Sequence, residues 1–327
     1  MSRRNLSLKL TGGVWFLALV IVLIPRGVDA QVLTYASGQT MQPAFEGWEQ
    51  NQDGSYNLLF GYLNRNWEEE FDIPVGPDNL FSPGSADRGQ PTHFLPRRNR
   101  LAFRVHVPAD FSEDDRLVWT VRSKGETLTA IGMITADLFV DNIVIMSENG
   151  SIGNGATTAE IRANIPPVSE LEGEAERWVR VGEPVTLAVR VSDDGVPRRR
   201  GFRRPDSSDN PRTPPGPLAT PEDLARVGEP SMVVPGKVNG LHVSWFVYRG
   251  QGEVTVDPPQ IKVWEDTRPY SSPWGHRWIH PTEPEDGWWV ARATFREAGT
   301  YVLRGKVDDG GLQVDHDVII HVADLVP

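Results

Sequence analysis

The sequence predicts an all-β chain folded as two antiparallel β-sandwich domains, the second immunoglobulin-like. Three observations carry this. Apolar residues alternate with polar ones along most of the chain after residue 40, the period of a half-buried strand. The 31 Gly and 27 Pro recur at short intervals and punctuate those runs as turns do. No window sustains the 3.6-residue period of a long helix. Hydrophobic residues make up 39% of the chain, which supplies a core and excludes collagen-like, coiled-coil and largely disordered architectures.

Residues 1–30 read as a secretory signal peptide. Arg3, Arg4 and Lys9 form a basic start, Val14 to Ile24 is unbroken apolar chain, and Val28-Asp29-Ala30 offers a cleavage site before Gln31. The apolar run is shorter than the ~20 residues a spanning helix needs. A cleaved signal is therefore expected, with an uncleaved N-terminal anchor as the alternative. Ser2-Arg3-Arg4-Asn5-Leu6 resembles a twin-arginine export signal, and Sec export fits equally. A secreted or periplasmic location follows. With no Cys, the chain lacks disulfides, thiolate zinc sites, iron–sulfur clusters, a cysteine nucleophile and a lipid-modified cysteine. The formal charge of −11 disfavours nucleic acid and anionic lipid as partners.

The first domain is expected over 31–147. Asp53-Gly54 is a hairpin signal between Ala44–Gln50 and Ser55–Leu63. Residues 66–98, rich in Pro, Gly and Asp, read as a long loop. Leu101, Phe103, Val105 and Val107 then alternate with Ala102, Arg104 and His106. Leu117, Trp119 and Val121 alternate likewise, and Ser123-Lys124-Gly125-Glu126 turns the chain into a partner strand reaching Met133. Residues 148–167, with Asn149-Gly150-Ser151-Ile152-Gly153-Asn154-Gly155 and Pro166-Pro167, read as a linker.

The second domain is expected over 168–327. Val185, Leu187, Val189 and Val191 share one face, opposed by Thr186, Arg190 and Ser192. Leu241, Val243, Trp245 and Val247 repeat the pattern, as do Tyr301, Leu303, Gly305 and Val307. Beyond the turn at Asp309-Gly310-Gly311, Val314, Val318, Ile320 and Val322 continue it. Tyr301 opens its strand two residues before Leu303, the placement of a tyrosine corner, with Trp245 as the core indole and Val189 opposite Leu303. A Pro/Arg-rich insertion at 193–236 interrupts the sandwich and is expected to be disordered; Thr220-Pro221 opens a short helix candidate within it.

Gly182-Glu183-Pro184-Val185-Thr186-Leu187, Val243-Ser244-Trp245 and Ala298-Gly299-Thr300-Tyr301-Val302-Leu303 with Asp308-Asp309-Gly310 resemble the PKD-type and cadherin-like immunoglobulin-fold modules of bacterial exported proteins. The resemblance implies a seven-strand sandwich serving as spacer, adhesive or binding module. Phe60-Gly61-Tyr62-Leu63-Asn64-Arg65-Asn66 and Gly89-Gln90-Pro91-Thr92-His93-Phe94 look like an uncharacterised exported bacterial family, which implies no mechanism.

Chemistry-bearing patterns are few. Neither a Gly-x-Ser-x-Gly elbow nor a phosphate-binding Gly-x-x-x-x-Gly-Lys loop occurs, so no catalytic residue and no cofactor is assigned. Trp264, Trp274, Trp278, Trp288 and Trp289 cluster, and an exposed indole stacks on a sugar ring. Trp274 and Trp278, with His276 and His280, are the ligand-binding candidates; the alternative is that all five indoles close a loop over the sandwich edge. His276 and His280 lie between Pro273 and Pro281, outside any helix that would pair them, so no metal site is assigned. Arg198, Arg199, Arg200, Arg203 and Arg204 are anion-docking candidates, with a solvated loop as the alternative. Asp308, Asp309, Asp315 and Asp317 cluster around the last hairpin as candidate calcium ligands, with a polar face beside a turn as the alternative. Glu68-Glu69-Glu70 and Asp72 are the acids a polysaccharide hydrolase would draw on. The leading expectation is a non-catalytic binding or structural module of the cell envelope, partnered by an envelope protein or polysaccharide. The alternatives are a polysaccharide-active hydrolase or accessory subunit, and a glycan-binding module using loop tryptophans.

Overall fold

Apolar alternation becomes sheet from residue 41 onward in the computed structural model, which describes residues 35–148, 158–197, 240–264 and 282–324. Strands β1 (Met41–Gln50) and β2 (Tyr56–Asn64) form the first hairpin. Gly54 takes φ 87° in its turn, a conformation that glycine adopts without a Cβ clash. The Asp53 carboxylate accepts from the Ser55 amide at 3.0 Å. Strand β6 (Arg97–Val107) pairs with β2 and completes a sheet of order β1-β2-β6. The second sheet has order β4-β7-β8, from Asn79–Ser82, Leu117–Ser123 and Glu126–Gly132. Between β7 and β8, Lys124 (φ 49°) and Gly125 (φ 79°) are both left-handed, as a tight two-residue hairpin turn requires.

The segment 66–98 is not a plain loop. It contributes β4 and also β3 (Phe71–Asp72), which pairs with β5 (His93–Phe94). Its side chains explain why: Phe81 and Phe94 enter the core beside Phe60, Phe103 and Trp119. The Trp119 indole donates to Asn79 Oδ1 at 2.9 Å, so the buried N–H is satisfied. Helices α1 (Asn142–Glu148) and α2 (Ala159–Arg162) follow. Thr158 caps α2 by accepting from the Ile161 amide. Ile145 and Met146 pack with Leu59, Leu101, Val140 and Leu312 in a separate small cluster.

The remaining strands are β9 (Val168–Leu171), β10 (Glu176–Arg180), β11 (Val185–Ser192), β12 (His242–Arg249), β13 (Val254–Asp257), β14 (Trp288–Phe295), β15 (Gly299–Asp308) and β16 (Gln313–Ala323). They form two four-stranded sheets, β13-β14-β11-β9 and β10-β16-β15-β12. All neighbours are antiparallel except β10, which runs parallel to β16. This is the two-sheet arrangement of an immunoglobulin-like sandwich. The tyrosine corner is present: the buried Tyr301 donates its hydroxyl proton to Glu297 O at 3.0 Å. Val189, Leu303 and Trp245 meet in the core where sulfur would bridge an antibody domain. Gly305 makes room for the indole, since a Cβ there would lie 2.8 Å from Trp245 Cη2. Most of the insertion at 193–236, including Thr220 and Pro221, lies outside the described residues.

Candidate functional site

Trp274, Trp278, His276 and His280 lie outside the described residues, as do Arg198, Arg199, Arg200, Arg203 and Arg204. The other clustered tryptophans serve the fold. Trp264 is buried, with Lys262 Nζ 4.9 Å from its ring centroid. On β14, Trp289 stands opposite Val189 and packs against the core, while Trp288 pairs with Arg190 on the other face. Among the described residues the exposed indole is Trp178 on β10, at 69% exposure. It stacks on His321 with centroids 5.1 Å apart. His321 Nε2 lies 2.7 Å from Glu176 Oε1, and its Nδ1 lies 3.2 Å from Thr300 Oγ1. Sequence reasoning passed over Trp178, although Val179 and Val181 beside it point to the core and so turn it outward.

The acidic run at 68–72 is organised around an imidazole. The β3–β5 register sets Asp72 opposite His93. Asp72 Oδ1 lies 2.8 Å from His93 Nδ1, and Glu70 Oε2 lies 3.0 Å from Nε2. Burial alone would lower the pKa of this ring. The hydrogen bonds to Asp72 and Glu70, with their charges, outweigh burial and raise it to about 9. At neutral pH the ring is an imidazolium donating from both nitrogens, which leaves no lone pair for general-base work or metal binding. Glu69 accepts from the Gly38 amide at 2.6 Å and pairs with Lys124. The hydrogen bond from Lys124, then that from Gly38, holds its carboxyl below the usual range.

The acids of the last hairpin divide into two sets. Asp308 Oδ1 accepts from the Gly310 amide at 2.7 Å. Asp309 Oδ1 accepts from the amides of Gly311 and Leu312, and its Oδ2 from Asn164 Nδ2. Burial nevertheless lifts the Asp309 pKa to about 7. Asp315 and Asp317 instead face Arg304. Asp317 takes a two-pronged pair from Nε and Nη2 at 2.7 and 2.8 Å, and Asp315 stands 3.8 Å from Nη1. The four carboxylates thus do not converge, and no group of three or more His, Asp or Glu suited to a metal occurs among the described residues.

Arg304 belongs to a polar junction between the two pairs of sheets. Its Nη1 donates to Ala102 O on β6 at 2.9 Å. Its guanidinium lies 3.5 Å from the centroid of the Tyr248 ring. Tyr248, on β12, packs into the first core rather than the second. Its hydroxyl donates to Gly89 O at 2.5 Å, and its carbonyl accepts from the Thr92 amide at 3.1 Å. Arg249 grips Asp87 through Nη1 and Nη2 at 3.0 and 2.7 Å and donates from Nε to Gln90 O. The Gly250 amide donates to Thr92 Oγ1. Beside this network is a cleft of about 20 Å³, lined by Tyr62, His93, Asn99, Phe246, Tyr248 and Lys306 among others. That volume is the size of a water or a single small group.

No protein-family model matches the chain, and no curated protein matches it. Several solved structures are similar to it. A chimeric titin Z1Z2 carrying a KLER peptide from decorin is 9% identical, covering 88% of this chain and 99% of its own, with a TM-score of 0.22. The S-layer protein rSbsC(31-844) is 12% identical, covering 90% of this chain and 26% of its own, also at 0.22. Fibronectin(III)-like modules of CbhA from Clostridium thermocellum are 10% identical, covering 90% and 93%, at 0.21. At these scores the likenesses carry no argument about function. Among the described residues no helix is long and apolar enough to cross a membrane.

Proposed function

We propose that the chain is a non-catalytic binding or structural module of the bacterial cell envelope, exported behind residues 1–30 to the periplasm or beyond. In this reading 31–147 form one sandwich domain, 148–167 connect, and 168–327 form a PKD-type immunoglobulin-like domain. The observation that carries it is the junction. Tyr248 is rooted in the first core, Arg304 spans to Ala102, and Arg249 clamps Asp87; in this reading those contacts hold the two sandwiches at a fixed angle. A held angle suits a spacer or a presenting scaffold. The hydrolase alternative finds less support, because Glu70 and Asp72 are engaged by one imidazolium. The test is co-sedimentation of the purified chain with isolated envelope polysaccharide while released reducing ends are assayed. Binding without release is the expected result. Release that disappears in Glu70→Gln would overturn the reading in favour of a hydrolase.

A glycan-binding reading is favoured by one observation of its own, the exposed Trp178. Stacking on His321 orients its indole, and Glu176 and Thr300 supply polar groups beside it. A flat indole with polar neighbours is the kind of surface on which a sugar ring rests. Retarded migration through gels containing a soluble polysaccharide, abolished by Trp178→Ala, is its expected signature. Equal migration of the two proteins across a polysaccharide panel would remove it.

A further inference from the structure

The turn between β15 and β16 carries two carboxylates into the protein. Asp308 and Asp309 are each 1% exposed. Leu312, which ends the turn, is buried with Leu59 and Leu101 of the first sandwich and with Val140, Ile145 and Met146. The turn is therefore seated against both the first sandwich and the segment that joins the two. Gly311 lies at the contact, since a Cβ there would stand 3.1 Å from Met146 Cγ and 3.2 Å from Asn164 Nδ2.

Among the described residues, Asp309 is hydrogen-bonded by neutral groups alone. Its Oδ1 accepts from the Gly311 and Leu312 amides, and its Oδ2 accepts from Asn164 Nδ2 at 3.1 Å. Asp308 beside it carries the same sign of charge and works against its ionisation. His242 on β12 stands opposite Asp308 in the strand register. On α1, Met146 is neutral and Glu148 pairs with Arg100. Glu160 and Arg162 of α2 are exposed. A buried carboxylate with neutral donors and a like charge at its side ionises reluctantly. Asn164 shows how the neutral acid is accommodated. It is 3% exposed, and its Oδ1 has no partner. Half a turn of the amide puts that oxygen where Nδ2 now stands, within reach of a proton on Asp309 Oδ2.

We infer that this turn is a proton-operated latch between the two sandwiches: a proton on Asp309 Oδ2, donated to Asn164 Oδ1, keeps the turn seated, and its loss favours release. The seated acid holds its proton more tightly than the released one. Its pKa is about 7 when seated and returns toward 3.8 in water. Seating is therefore strongest below about pH 4 and weakens as pH rises to about 7, by up to about ten-fold per pH unit in the seating equilibrium. The latch is separate from the Arg304 contact and needs neither attachment to polysaccharide nor the Trp178 surface.

The experiment follows amide hydrogen exchange of the full chain, labelled with ¹⁵N, at pH 5 and pH 7, each rate divided by the intrinsic rate at that pH. Release frees the Gly311 and Leu312 amides, so their protection should fall by up to about a hundred-fold over that range. Asp309→Asn puts a neutral group of the same shape there and should keep equal protection at both pH values. The Asn164 side-chain N–H resonances of the natural chain should move with a midpoint near pH 7 as the amide turns. Equal protection at pH 5 and pH 7 in the natural chain, the same fall in Asp309→Asn, or Asn164 signals unmoved between pH 5 and pH 8 would each overturn the inference. If Asp309→Asn fails to fold, the exchange and the Asn164 signals of the natural chain still decide.

Discussion

At the scale of single residues, two side chains give measurable expectations. The Tyr301 hydroxyl reaches back to Glu297 O from a fully buried ring, so Tyr301→Phe removes one hydrogen bond and almost no volume. A loss of about 1 kcal/mol is expected, read from the urea midpoint at constant m. His93 gives a pH dependence. Its folded pKa, about 9, lies above its ordinary value of 6.5, so the folded state holds the proton more tightly. The stability from the Glu70–His93–Asp72 cluster is therefore complete below pH 6.5 and is lost as pH rises through 9. The shift corresponds to a loss of roughly 3 kcal/mol at most over that window. Urea melts at pH 7 and pH 9.5 should show this decline in the natural chain and a shallower one in His93→Gln. Equal slopes would mean that the imidazolium contributes nothing.

At the scale of elements, the contact of β15 with β12 depends on the lack of a side chain. The Cβ of Gly305→Ala would stand 2.8 Å from rigid atoms of the Trp245 ring, which is itself enclosed by the core. Overpacking of this kind costs about 1–3 kcal/mol, measurable by the same denaturant titration. The long strands were legible in the sequence because period-two patterning needs only one buried face. Val185 to Val191 and Leu101 to Val107 alternate, and they are strands. The short strands were not legible. β3 and β5 have two residues each, too few to show any period, and β4 lies in a stretch whose Pro and Gly content reads as loop. The His93 cluster was hidden for the same reason. Glu70 and Asp72 stood out as an acidic run, but their imidazole partner comes from a strand some twenty residues on. The outer face of β12 misled differently. Ser244 and Tyr248 fall on the face that alternation assigns to solvent, yet both are buried. The unbroken Trp245-Phe246-Val247-Tyr248 run was the available signal, since a strand covered on both faces loses its alternation.

At the scale of the whole molecule, the junction decides whether the two sandwiches unfold apart. Each pair of sheets has its own core, and separate cores ordinarily permit separate transitions. Here the cores are coupled. The backbone of β12 belongs to the second sandwich while the Tyr248 ring packs in the first, so unfolding either one strips a wall from the other. Arg304 strengthens the coupling from a largely buried position, joining Asp317, the Tyr248 ring and Ala102 O. Arg304→Leu keeps much of the volume and loses these contacts together with the longer ion pair to Asp315. A hydrogen bond to a charged group contributes about 1.5–3 kcal/mol, and the Ala102 carbonyl would also be left in a partly buried place without this donor. The natural chain should melt in a single calorimetric transition, and Arg304→Leu should split it in two or leave a calorimetric enthalpy above the van't Hoff value. The exposed clamp offers the contrast. Asp87→Asn weakens a pair whose carboxylate is half exposed, so it should lower the transition by less than about 1 kcal/mol and leave it single. If Arg304→Leu melts as one unit at the natural temperature, the fixed angle between the sandwiches does not depend on this residue, and the scaffold reading loses its main support.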